Sequence, residues 1–157
     1  MAIIFITGLS GVGCSTALEQ LEKEGYHTVD TDYGYVIEIV NEDGNKERVW
    51  DEEKIFRLLE QYKDSNLLIS GCYGNQGKFY KYFDSVVLLK ADLDVMLNRI
   101  DHRTSHNYGK SSEDRREILD NHENVLPLLE KSSDVIIDTM HIGIDEVCRK
   151  LEGITVA

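Results

Sequence analysis

The sequence predicts an α/β domain built around a parallel sheet, and three observations carry that prediction. Short apolar runs recur at Ile3–Ile6, Leu67–Ile69, Val86–Leu89 and Val135–Ile137, the pattern of short strands, and the wholly apolar Leu67–Ile69 is what a central parallel strand should be. Segments with apolar residues at helical spacing lie between them. A glycine loop, Gly8-Leu9-Ser10-Gly11-Val12-Gly13, joins the first apolar run to the first helical segment. A chain of 157 residues has the length of one such domain, and no linker, repeat or low-complexity tract divides 1–157.

Composition narrows the function classes. A hydrophobic share of 41 %, spread along the chain, excludes a disordered protein. The net charge of −12 argues against a general nucleic-acid binder or a binder of anionic membranes, both of which attract positive charge. No apolar run approaches the roughly 20 residues of a membrane span, and the first residues do not read as a signal peptide, so a cytoplasmic protein is expected. The three cysteines, Cys14, Cys72 and Cys148, are odd in number and lack metal-type spacing, so reduced thiols and no structural metal are expected.

The glycine loop carries the most chemistry. Gly8, four residues, Gly13, one residue and Ser15 follow the Walker A phosphate-loop spacing, except that Cys14 stands where the pattern has lysine. The case for an anion site does not need that lysine. Gly8, Gly11 and Gly13 permit the backbone geometry in which consecutive N–H groups converge, and the helix that follows adds unpaired N–H groups at its start. Ser15 places a hydroxyl where the motif holds Mg²⁺, and Thr16 can donate to an inner phosphate. The candidate nucleotide-binding residues are Gly8, Ser10, Gly11, Val12, Gly13, Cys14, Ser15 and Thr16. A cysteine at a helix start also has its thiolate favoured, so Cys14 is a candidate for oxidation that gates phosphate access.

The first helix buries Ala17, Leu18 and Leu21 and ends at Gly25, a natural C′ residue. His27-Thr28-Val29-Asp30 reads as a short strand running into Asp30-Thr31-Asp32-Tyr33-Gly34. Carboxylates at a strand's carboxyl end, just after a phosphate loop, sit where an open parallel sheet gathers its ligands. Of Asp30 and Asp32, one would hold Mg²⁺ through water and the other would orient or deprotonate an acceptor hydroxyl; an Asx-type turn is the plainer reading of the pair. Val36–Val40 and Val49-Trp50 around Asp43-Gly44 predict a β-hairpin insert near 35–50. Tyr33, Tyr35 and Trp50 there either present a surface to a flat substrate or pack beneath the hairpin.

Asp51 caps a helix carrying Ile55, Leu58, Leu59 and Tyr62. The loop after Ser70, Gly71-Cys72-Tyr73-Gly74-Asn75-Gln76-Gly77-Lys78, either lets the backbone approach a ligand, with Asn75, Gln76 and Lys78 as donors, or is a plain connection; in the first case Gly71, Cys72, Asn75 and Gln76 are candidate substrate contacts together with Asp32 and Tyr33. Asp92 opens a helix with Leu93, Met96, Leu97 and Ile100 on one face. Beyond it Arg99, Arg103, Lys110, Arg115 and Arg116 gather, either as a phosphate-covering lid near 101–114 or as a solvated helix edge. Ser112-Glu113-Asp114 starts another helix, which Pro127 should kink or restart. Val135–Asp138 is the last strand, and Ile144, Val147, Cys148 and Leu151 mark the last helix.

Asp30-Thr31-Asp32, Ser70-Gly71-Cys72-Tyr73-Gly74 and Ser132–Thr139, in this order of elements, resemble the nucleoside-monophosphate-kinase-like P-loop kinases, and within them the shikimate-kinase and gluconate-kinase branch. The resemblance implies a three-layer P-loop NTPase fold with a five-stranded parallel sheet in the order 2-3-1-4-5 and a hairpin serving as substrate-side flap. It implies ATP with Mg²⁺ in the loop, Arg103 or a neighbour such as Arg99 against the nucleotide, Asp32 as the acceptor-side base and Asp30 as a residue that holds Mg²⁺ through water. Lys78, Lys110 and Arg103 are the cations that could take over from the missing lysine, so the candidate catalytic set is Asp32, Arg103 and Lys110. The expected partners are a nucleotide and a small-molecule acceptor, with a monomer or homodimer as the assembly. The expected activity is ATP-dependent phosphotransfer to a hydroxyl or phosphate of a small metabolite or nucleotide. The missing lysine leaves a second expectation, a degenerate nucleotide-binding protein or sensor with little catalysis.

Overall fold

The computed structural model describes residues 2–9, 12–102 and 111–156. In chain order the elements are β1 (Ile3–Thr7), α1 (Cys14–Lys23), β2 (Thr28–Asp30), β3 (Val36–Val40), β4 (Lys46–Trp50), α2 (Glu52–Gln61), β5 (Leu67–Ser70), a 3₁₀ segment (Gln76–Tyr82), β6 (Ser85–Lys90), α3 (Leu93–His102), α4 (Ser112–Asn124), α5 (Leu126–Ser132), β7 (Val135–Asp138) and α6 (Ile144–Val156).

Five strands form one parallel sheet in the order β2-β5-β1-β6-β7. With the hairpin strands set aside, this is the expected 2-3-1-4-5 order. The central strand explains the three layers. Successive side chains of a strand point to opposite faces, and β1 sends Ile4 and Ile6 into one core with Leu18, Leu21, Leu88 and Leu151, and Ile3 and Phe5 into another with Trp50, Ile55, Leu59 and Phe79. All five β1 residues are buried, which is why the run is apolar without alternation.

β3 and β4 pair antiparallel, with Val36 opposite Trp50, and form the expected hairpin. Asn41 Oδ1 closes its turn by accepting from the amides of Asp43 and Asn45. Asp51 caps α2, its carboxylate accepting from the Lys54 amide. Pro127 lies in the first turn of α5, so the helical run stops at Asn124 and restarts after Val125. The expected lid falls largely on 103–110, which lie outside the described residues; α3 ends before it and α4 begins after it. No described helix is long and apolar enough to cross a membrane.

Trp50 decides between the two readings of the hairpin aromatics. It is fully buried, edge-on to Phe5 at 5.4 Å and to Phe79 at 5.7 Å, so it is core beneath the hairpin and offers no surface to a substrate.

Candidate functional site

The sheet order reverses around β1, and the carboxyl ends of β1, β2 and β5 bring Thr7, Asp30 and Ser70 together at one end of the sheet. The glycine loop leaves β1 at this end. A Cβ on Gly8 would lie 2.5 Å from the Leu89 carbonyl oxygen and 2.7 Å from Val12 Cγ2, so β6 passes too close for any side chain. Gly13 has φ +100°, a left-handed conformation that favours glycine, and it is the N-cap of α1 without giving it a side-chain cap. Ala17 is the first α1 amide to bond within the turn, to the Gly13 carbonyl at 3.0 Å. The amides of Cys14, Ser15 and Thr16 therefore have no intrahelical acceptor, and no acidic side chain occupies that first turn. These residues fit a polyphosphate: an amide-lined helix start carrying partial positive charge. Ser10 and Gly11 lie outside the described residues.

The acidic pair is tied to this loop. Ser15 Oγ donates to Asp30 Oδ2 at 2.9 Å, and Asp30 Oδ1 accepts from the Asp32 amide at 3.1 Å. The Asx-type turn and the link to the phosphate loop are thus one arrangement. Between the carboxylates Thr31 turns inward. Its hydroxyl donates to the Ser70 carbonyl at 2.7 Å and accepts from Trp50 Nε1 at 2.9 Å, while its amide bonds the same carbonyl at 3.0 Å. With Thr31 pinned inside, Asp30 and Asp32 both face out of the sheet end. A Cβ on Gly71 would lie 2.4 Å from Thr31 Oγ1 and 3.2 Å from the Trp50 ring, so this glycine is required by the same packing.

The loop after β5 completes the site. Tyr73 donates its phenol hydrogen to Asp32 Oδ1. Burial first, then that hydrogen bond, pushes the phenol up from its ordinary pKa, with Arg48 on the hairpin opposing the shift. Gln76 is buried; its Oε1 accepts from the Tyr73 amide at 2.9 Å, and its Nε2 donates to Thr7 Oγ1 at 3.3 Å and to the Tyr80 hydroxyl at 2.9 Å. Asn75 donates to the Trp50 carbonyl and to Glu52, each at 3.0 Å, and accepts from the Trp50 amide at 3.1 Å. The N–H groups of both amides are taken up by partners within the chain, and they shape the loop. Lys78, a candidate substitute for the absent lysine, pairs with Glu52 at 3.1 Å.

Tyr33 stands beside the carboxylates, 74 % exposed, and Cys72 is half-buried and hydrogen-bonded to Thr7. Arg99, on the last turn of α3, donates to the Thr139 hydroxyl and carbonyl, both at 2.9 Å, and so joins α3 to the loop after β7. Arg103 and Lys110 lie outside the described residues.

Cys14 corrects the expectation of an activated thiol. Burial, the neighbouring Cys72 and the carboxylates of Asp30 and Asp32 all push its pKa far above the ordinary value, and the helix start does not offset them. Two residues important to the geometry were not singled out from sequence. Thr31 could have been, as an uncharged residue between two carboxylates that must face the same way. Tyr73 carries no such signal, because its partner lies 41 positions away.

A family model described as an AAA domain matches residues 4–120. Two curated relatives, each called a nucleotide-binding protein, are similar to most of the chain. The one from Petrotoga mobilis is 30 % identical over 148 residues, covering 87 % of this chain and 47 % of the relative. The one from Thermosipho melanesiensis is 26 % identical over 155 residues, covering 97 % and 53 %. The chain thus spans about half the length of the curated relatives it matches. Among solved structures it is similar to a shikimate kinase from Acinetobacter baumannii in complex with shikimate, with a TM-score of 0.65 and 18 % identity, covering 99 % of this chain and 93 % of that one. It is also similar to a gluconokinase from Sinorhizobium meliloti, with a TM-score of 0.62 and 17 % identity, covering 99 % and 91 %. At these identities the likeness is one of fold.

Proposed function

The chain belongs to the AAA domain family and has the P-loop NTPase fold of the nucleoside-monophosphate-kinase-like superfamily, and from this we propose that it binds ATP and transfers the γ-phosphoryl group to a hydroxyl or phosphate of a small metabolite or nucleotide. The observation that carries the reading is the hydrogen bond from Ser15 to Asp30, which joins the phosphate loop to the acidic pair. In this reading the amides of Gly13 to Thr16 hold the phosphate chain, Asp32 accepts the acceptor's proton, and Thr31 keeps that carboxylate facing the loop. Ser15 and Asp30 would hold Mg²⁺, which supplies charge neutralisation at the transferring group. Arg99, Arg103 and Lys110 are the proposed source of further positive charge.

Coupled measurement of ADP release across sugars, nucleosides, nucleotides and hydroxy acids tests the reading. Turnover with one acceptor, lost in Ser15→Ala, supports it; no turnover above that variant with any acceptor refutes it. Cys14 favours a second reading, a nucleotide-binding protein with little catalysis, and the relatives' printed name agrees with it. That reading expects binding without turnover, and a gain of turnover in Cys14→Lys.

A further inference from the structure

An acceptor hydroxyl in such a site must lie on the base, and one hydroxyl of this chain already does. The Tyr73 phenol donates to Asp32 Oδ1, Asp32 donates its amide to Asp30, and Asp30 accepts from Ser15 in the phosphate loop, so three hydrogen bonds separate the phenol from the loop. Tyr73 is half-buried and held from several sides. Its amide is fixed by Gln76, which is itself bonded to Thr7 at the end of β1, and its ring lies 6.3 Å from Trp50. Gly74 beside it packs near Glu47 of the hairpin, so the loop is braced on that side as well.

We propose that Tyr73 is a phosphoryl acceptor within its own chain, modified by a nucleoside triphosphate bound at the glycine loop. The inference rests on the kinase reading above and adds an acceptor to it. The Tyr73 oxygen forms a bond to the γ-phosphorus as the bond from that phosphorus to the β,γ-bridging oxygen breaks. The nucleoside diphosphate leaves with the bonding pair, and the phenol proton passes to Asp32. The attack depends on Asp32 as base, because the phenol hydrogen is already donated to that carboxylate. The product is a phosphotyrosine beside Asp30 and Asp32, and like-charge repulsion turns it away from them, leaving Asp32 open to an acceptor from solution.

The test incubates the full chain with Mg²⁺ and ATP labelled in the γ-phosphate, maps the modified residue by mass spectrometry, and measures ATP binding by calorimetry in parallel. The expected result is a phosphoryl group on Tyr73, formed with a rate constant independent of protein concentration. Tyr73→Phe should abolish the label while still binding ATP, Asp32→Asn should slow labelling about 10²-fold, and Tyr82→Phe, altered on the far packing of Phe56, should label as the parent does. ATP binding with turnover of a soluble acceptor but no label on Tyr73 overturns this inference and leaves the kinase reading standing. Labelling at another residue, or a rate that grows with protein concentration, also overturns it. Absence of ATP binding removes both.

Discussion

Thr31→Val tests how the acidic pair is positioned. Valine has threonine's shape without its hydroxyl, and that oxygen is fully buried, accepting from Trp50 Nε1 at 2.9 Å and donating to the Ser70 carbonyl at 2.7 Å. The Ser70 carbonyl keeps its bond from the Thr31 amide at 3.0 Å, so the larger loss falls on the indole N–H, left buried without an acceptor. An orphaned buried donor costs about 1–3 kcal/mol, which sets an expected destabilisation of about 2 kcal/mol. For a chain of this size that lowers Tm by roughly 4–8 °C. Urea unfolding followed by far-UV circular dichroism reads it in every variant, including those that lack Trp50, the single tryptophan. The midpoint should fall with an unchanged m value. Trp50→Phe removes the donor, so Thr31→Val should cost less in that background, with a coupling of about 1 kcal/mol in the double-mutant cycle. A Thr31→Val loss under about 0.5 kcal/mol, or strict additivity with Trp50→Phe, would refute the reasoning.

Other expected outcomes test separate parts of the account. Gly8→Ala places a Cβ 2.5 Å from the Leu89 carbonyl oxygen, so thermal unfolding should show a loss of about 1–3 kcal/mol, and ATP binding should weaken because the loop must shift. Native Cys14 should react with iodoacetamide at pH 8 at least about 10-fold more slowly than the same cysteine in urea, as followed by peptide mass spectrometry, because its thiolate is disfavoured by burial. The Cys148 thiol is raised from 9.0 to about 11 by burial and then by Glu24, Glu152 and Asp145. The native state therefore holds a proton that the unfolded chain releases. Stability is at its full value below pH 9 and falls as pH climbs from there through about 11, and Cys148→Ala should flatten the slope. Urea midpoints across that range read both the fall and its partial removal.

The elements that local chemistry writes were legible in sequence. β1, β5 and β6 are buried on both faces and so appear as unbroken apolar runs, and the Asp51 cap and the Pro127 restart follow from single residues acting on their own backbone. Gly8 and Gly13 were legible as a spacing, although the structure gives them different reasons: a strand passing too close, and a left-handed φ. What the sequence left open depends on partners far apart in the chain. Trp50 is core because Thr31 accepts its N–H across 19 positions, and Asn75 is spent because it binds the Trp50 backbone across 25. Gln76 reaches Thr7 across 69. The sign of the Cys14 shift was misjudged for the same reason. The helix start that favours a thiolate is visible locally, whereas the burial, the second thiol and the two carboxylates that oppose it are gathered only by the fold.

The central claim is that main-chain amides at the start of α1 hold a phosphate chain without a lysine, and calorimetric titration with inorganic triphosphate alongside ATP tests it most directly. Triphosphate has the anion and no base, so both ligands should bind in the parent chain, and Gly8→Ala should weaken both together. Saturable binding of ATP with none of triphosphate, or equal binding of both to Gly8→Ala, would contradict it.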